Sequence, residues 1–138
     1  MDKETLRNII LEMLKEDSIR CPVKLRHVSD VVLTEADRLN TGDSSHKVFT
    51  QDLFSLEESP RLGCGVMEME QTTFPWRLQY DEIDYVIEGC LTIYCGDHML
   101  SAQKGELLLI PKDTEIIFSS TEKTRFIYIT YPADWKNA

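Results

Sequence analysis

The sequence predicts an all-β fold, an antiparallel barrel or sandwich of short strands behind one N-terminal helix. Three observations carry this reading. After residue 46 the apolar residues alternate in short runs, the period of half-buried strands. Turn residues separate those runs: Gly96-Asp97, Lys104-Gly105 and Pro111-Lys112-Asp113. Before residue 18 the pattern is helical instead.

The elements follow in order. Over residues 2–17, Leu6, Ile9, Ile10, Met13 and Leu14 recur at the spacing of one helical stripe. The opposite face carries Lys3, Arg7, Glu12, Lys15 and Glu16. Asp2 is placed as the N-cap, and Ser18 with Cys21-Pro22 ends the helix. Val31-Val32-Leu33 reads as a short strand, Thr34–Leu39 as a turn of helix, and Asn40–Ser45 as a loop. Candidate strands then cover 47–50, 63–70, 83–88, 90–95, 98–103, 106–110, 114–119 and 124–131. Gly96-Asp97 is a two-residue hairpin of the Gly-first type. At 138 residues the chain fits one unit with its own core. Its segments are an N-terminal amphipathic helix (1–20), a connecting stretch (21–45) and the β barrel (46–138).

Composition excludes several classes of function. A net charge of −9 repels nucleic acid. No apolar run approaches the roughly 20 residues that span a bilayer, and no secretory signal is visible. A cytoplasmic protein is expected, with neither nucleic-acid nor membrane partners. Cys21, Cys64, Cys90 and Cys95 form no C-x-x-C pair, and His27, His46 and His98 lack zinc-site spacing. No metal ligands are therefore assigned. Cys90 and Cys95 lie five apart on one strand, facing opposite sides, and read as small hydrophobes.

Two spaced motifs sharpen the fold. Glu82, six residues and Gly89 form the first; Gly105, five residues and Pro111 form the second. Together they resemble the motifs of the cupin double-stranded β-helix, a jelly-roll barrel. The metal histidines of that pattern are missing. Trp76 and Leu78, or Pro75 and Arg77 in the alternative spacing, stand in the first motif where histidines would be. Asp113 replaces a glycine and Ile116 a histidine in the second. More narrowly, Phe74-Pro75-Trp76, the run Tyr80–Gly89 and the run Ile127–Trp135 resemble the EutQ family of ethanolamine-utilisation cupins, over roughly residues 45–136. The resemblance implies a homodimer and association with a bacterial microcompartment. It also implies, for some members, acetate kinase activity using ATP and Mg²⁺. Those members tend to carry a longer N-terminal region.

Glu82 is the central site candidate. In a cupin the equivalent side chain points into the barrel, where low dielectric raises a carboxylate pKa unless a cation or donor pairs with it. It is read either as a general base or cation ligand, or as a structural glutamate bonded to a tyrosine or arginine. Tyr80 and Asp84 are grouped with it as catalytic candidates. Strand alternation puts Asp84, Val86 and Glu88 on the face of Glu82. A twist or bulge would instead leave Asp84 or Glu88 at a rim, and Glu88, beside Gly89, is expected there. Trp76, Arg77, Tyr85 and Glu88 are the ligand-binding candidates. Trp76 and Tyr85, with Phe74 and Tyr80, line a pocket mouth or pack as core. Arg77 binds an anion or serves as an ion-pair partner. Neither G-x-x-x-x-G-K-[ST] nor G-x-G-x-x-G occurs, so phosphoryl transfer rests on the resemblance alone. The alternative is a non-catalytic assembly or small-ligand-binding cupin, with residues 1–17 docking on microcompartment shell or cargo proteins. A metal-free sugar isomerase would want a tyrosine–histidine pair, and no histidine lies inside the motifs.

Overall fold

The computed structural model describes the backbone of residues 1–138 and every side chain except those of 15–20. Helix α1 spans Lys3–Arg20. The Thr5 amide donates to Asp2 Oδ1 at 2.7 Å, which makes Asp2 the N-cap. The helix runs past residue 17 and stops at Arg20, just before Cys21-Pro22. Its stripe of Leu6, Ile9, Ile10, Met13 and Leu14 is bare, each side chain 41–60% exposed. Lys15 and Glu16 of the polar face lie outside the described side chains.

The short strand expected at Val31–Leu33 does not form. A 3₁₀ turn occupies Val28–Asp30 instead. The carbonyls of Val28 and Val31 are taken by Arg125 Nη2, at 2.8 and 2.9 Å, and not by a neighbouring strand. Arg125 Nη1 also pairs with Glu68, both side chains largely buried. Arg26 Nε donates to the Leu53 carbonyl at 2.8 Å, its Nη2 meets Glu58 at 2.7 Å, and its guanidinium lies over Phe54. Arg38 follows the 3₁₀ turn Glu35–Asp37, bridges Phe49 and lies over that ring. Three arginines thus bind the connecting stretch to the barrel wall.

Nine strands follow: β1 Val48–Asp52, β2 Gly63–Met69, β3 Thr72–Leu78, β4 Asp81–Glu88, β5 Cys90–Cys95, β6 His98–Gln103, β7 Leu107–Ile110, β8 Thr114–Ser120 and β9 Thr124–Tyr131. Eight match the candidate strands to within two residues. Strand β3 was not among them; it carries Pro75, a residue disfavoured inside sheets. The structure resolves the conflict by placement: β3 is an edge strand, and Pro75, opposite Ile117, is exposed. The sheets run β1-β2-β9-β4-β7 and β3-β8-β5-β6, all pairs antiparallel. The pairing of Cys95 with His98 closes the hairpin on Gly96-Asp97. Asp113 sits at φ +67°, the left-handed conformation the motif's glycine would take.

Between the sheets lie Phe74, Phe118 and Phe126 with Leu78, Leu91 and Val86, all buried. Tyr128 needs a gap in the wall to lie flat. Gly65 supplies it, since a Cβ there would overlap the phenol and come 2.6 Å from the Gln51 carbonyl oxygen. No helix is long and apolar enough to cross a membrane among the described residues.

Candidate functional site

Strand β4 sets the site, because its alternation decides what faces inward. Glu82, Asp84 and Val86 are buried, whereas Asp81, Ile83 and Tyr85 face out. The alternation then breaks. A register shift between Val86 and Glu88 leaves Glu88 exposed, so it does not join the inner row. Gly89 follows at φ +80°, and a Cβ there would strike the Lys123 carbonyl.

Glu82 lies between Ile110 of β7 and Thr130 of β9; Asp84 lies between Leu108 and Tyr128. Two hydroxyls are therefore beside two carboxyls, yet both are committed elsewhere. Thr130 donates to the Pro132 carbonyl at 3.0 Å, and Tyr128 donates to Asp52 Oδ1 at 2.6 Å. Both oxygens of Asp84 are left without a hydrogen-bond partner, at zero exposure. Burial raises the Asp84 pKa well above the carboxylate range, and the neighbouring Glu82 charge pushes the same way. Burial also raises Glu82, to about 7. The inner wall thus disfavours two charges at once: Asp84 is held protonated, and Glu82 gives up its proton only near neutral pH.

Tyr80 and Trp76 sit above this pair. Trp76 Nε1 donates to Tyr80 Oη at 2.9 Å. Burial, then the charge of Glu82, drives the Tyr80 pKa up. Trp135 closes the other side, its Nε1 donating to Asp52 Oδ1 at 3.2 Å. What remains between Trp76, Tyr80, Glu82, Tyr128 and Trp135 is a cavity of ≈10 Å³. That volume holds one water at most. Outside the two indoles, a cleft of ≈510 Å³ opens against Asp37, Gln51, Asp52 and Lys136.

The structure therefore brings Glu82, Asp84, Tyr80 and Trp76 together and separates the other candidates. Tyr85 is on the outer face of β4, 41% exposed, because it is one residue out of phase with Asp84. Arg77 also points outward, 3.6 Å from Glu115 in an exposed ion pair. Phe74 is core. Asp52, Tyr128 and Trp135 were missed as site residues. The last two lie in a run the sequence had already marked, but nothing local to Asp52 signals that a phenol and an indole converge on it.

The donors for a cupin-type metal do not fit. Leu78 and Ile116 fill two histidine positions as buried apolar side chains, and Trp76 fills a third. No group of three or more His, Cys, Asp or Glu side chains among the described residues is placed to hold an ion. His46, the nearest histidine to the core, bonds Thr41 Oγ1 at 2.7 Å.

The buried pair gives a signed prediction. Each acid keeps its proton in the folded state above the pH at which it loses it unfolded, so stability must fall as pH rises. The loss begins near the ordinary values of 3.8 and 4.5 and continues through the raised folded pKa of each acid, about 7 for Glu82. Each retained proton contributes a slope of about 1.4 kcal/mol per pH unit. The Asp84→Asn variant should show a shallower decline in urea unfolding between pH 5 and 9. Parallel profiles for the two proteins would refute the buried-acid assignment.

The family is shown by comparison. Residues 3–137 match the model of the family described as ethanolamine utilisation protein EutQ. A protein named acetate kinase EutQ from Clostridioides difficile strain 630 is 60% identical over 105 residues, 76% of this chain and 67% of that protein. The protein of the same name from Escherichia coli K12 is 35% identical over 96 residues, 70% of this chain; the match spans only 41% of that longer protein. The solved structure of the Clostridium difficile EutQ protein superposes with a TM-score of 0.80 at 55% identity, covering 83% of each chain. A cupin-2 domain protein from Shewanella frigidimarina shares the fold, with a TM-score of 0.53 at 24% identity over 60% of this chain and 78% of its own. A jelly-roll cupin whose histidine positions are filled by Trp76, Leu78 and Ile116, this chain belongs to the EutQ family of ethanolamine utilisation proteins.

Proposed function

We propose that the protein acts in ethanolamine utilisation as an acetate-kinase-type phosphoryl-transfer enzyme. The observation that carries this reading is its 60% identity, over 105 residues, to a protein named for that activity. In the reaction a carboxylate oxygen of acetate attacks the γ-phosphorus of ATP. The bond from that phosphorus to the bridging oxygen breaks, ADP leaves, and acetyl phosphate forms. Such chemistry depends on positioning and charge neutralisation. With no phosphate-cradling glycine loop, the neutralising charge comes from Mg²⁺ on the nucleotide and from single side chains. An ion arriving with the phosphates needs only one or two protein carboxylates, which suits a chain with no three-ligand site among its described residues. Glu82, Asp84 and Tyr80 meet no substrate while Trp76 and Trp135 shut the mouth, so the reading gives them no contact with ATP or acetate.

The test is Mg²⁺-dependent formation of acetyl phosphate and ADP by the purified protein. Product should appear only with acetate, ATP and Mg²⁺ together. If no ADP forms above the protein-free rate under those conditions, the enzymatic reading fails for this chain.

Two bare apolar surfaces support partners. On the outer face of β4, β7 and β9, Ile83, Tyr85, Leu107, Leu109, Ile129 and Tyr131 are 40–69% exposed. Register makes them one patch: Ile83 lies opposite both Leu109 and Ile129, and Tyr85 opposite Leu107. Patches of this kind mark protein contacts, and a homodimer through this face is the arrangement we favour. Leu109→Glu should then shift sedimentation from twice the 16.0 kDa chain mass to a single copy; an unchanged particle would exclude this face.

The non-catalytic alternative is favoured by the exposed stripe of α1, which suits docking of the helix in a groove on a microcompartment protein. A variant with Ile9→Glu and Met13→Glu should lose co-sedimentation with purified shells while its barrel stays folded. Undiminished co-sedimentation would rule the helix out as the docking element.

A further inference from the structure

Resting on the kinase reading, we infer that the nucleotide binds outside the barrel, in the cleft over the closed mouth. Size decides against the interior first. The ≈10 Å³ cavity beside Glu82 admits no nucleotide, whereas the ≈510 Å³ cleft lies within the range of small-molecule sites, about 300–1,000 Å³. The cleft also supplies the three kinds of group that a magnesium nucleotide requires. The indoles of Trp76 and Trp135 line it, each fixed by its own N–H, to Tyr80 and to Asp52. Trp76, half-buried, offers a face on which a base can stack, while Trp135, only 6% exposed, forms part of the buried wall. Lys136 is exposed beside them, its ammonium 5.3 Å from the Trp135 ring centroid. It is a cation available to phosphate.

Asp37 and Asp52 supply the carboxylates. The described bonds to Asp52, from Tyr128 and from Trp135, both fall on Oδ1. Asp37 is steadied by the Thr34 amide at 2.8 Å and by Gln51. Two carboxylates are the complement that Mg²⁺ takes when phosphate oxygens and waters fill its remaining positions. A larger groove, ≈550 Å³ on the opposite sheet, is less suited. Its cation, Arg77, is already paired with Glu115, and that is the only carboxylate lining it. The net charge of −9 adds one requirement: ATP without its metal is repelled, so binding needs Mg²⁺.

The chain's two tryptophans both line this cleft, which makes the site directly observable. Titration with Mg²⁺-ADP should change the intrinsic tryptophan emission saturably, and ADP with EDTA should not. Equilibrium dialysis should give the same affinity. Lys136→Ala should weaken binding about tenfold, the loss expected for one charge-assisted contact. Lys104→Ala, which removes an equal charge elsewhere, should leave it within about twofold. Acetyl phosphate formation is measured on the same proteins. Turnover with nucleotide affinity unaltered by Lys136→Ala would overturn the cleft and leave the kinase reading standing. Saturable Mg²⁺-dependent binding lost in Lys136→Ala, without turnover, would keep the cleft and reject the kinase. No binding by either method would overturn the cleft outright.

Discussion

Two carboxyl groups face a closed interior whose hydroxyls are already committed. Most of the site follows from this constraint. Thr130 and Tyr128 stand next to Glu82 and Asp84 in register, yet one donates to a main-chain carbonyl and the other to Asp52. A buried carboxylate without donors is costly to charge, so Asp84 is held protonated and Glu82 keeps its proton up to about pH 7. Below about pH 7 the interior then behaves electrically as an apolar core with two polar atoms left unsatisfied. Asp52 is the reason. It draws the Tyr128 phenol and the Trp135 indole to itself, and that convergence also closes the mouth. The same carboxylate that seals the barrel therefore leaves Asp84 without a partner.

Closure leaves the roomy spaces on the surface, and the surface is not uniform. The outer face of the five-stranded sheet is divided. Residues 26–38 cross its β1–β2 side, tied down by Arg26, Arg38 and Arg125. Val66, which alternation turns outward on β2, is fully buried there. Beyond β9 the covering stops, and apolar side chains on β4 and β7 stand in solvent. The contrast within a single sheet shows what a covered outward residue looks like in this protein. The bare half lacks such a covering among the described residues.

Much of this was legible in the residues. Period-two alternation located eight strands, and Gly96-Asp97 located a hairpin, because both signals are local. The inward aim of Glu82 was implied by the cupin resemblance, and alternation carried it on to Asp84. Three things were not legible. Strand β3 carries Pro75, and only knowledge of the sheet order reveals that it occupies an edge where a missing N–H is harmless. Tyr85 and Arg77 were candidates for a pocket by composition, but facing is decided by phase, and both are out of phase with the inner row. The role of Asp52 is wholly tertiary. It arises where β1, β9 and the C-terminal turn at Trp135–Asn137 converge, and no window of sequence contains all three.

The missing histidines acquire a physical reading from this geometry. A metal site in a barrel needs an opening for substrate and side chains that leave space around the ion. Here the positions are filled by Trp76, Leu78 and Ile116, which are larger or more apolar than the ligands they stand in for, and they pack against Phe74, Phe118 and Tyr80. Such substitutions do more than delete ligands. They supply the volume that reduces the interior to the space of one water. At the same time they place an indole at the rim, where Trp76 serves as both the roof of the closed cavity and a wall of the open cleft. The side chains at the histidine positions thus shape both the closed interior and the wall of the outer cleft.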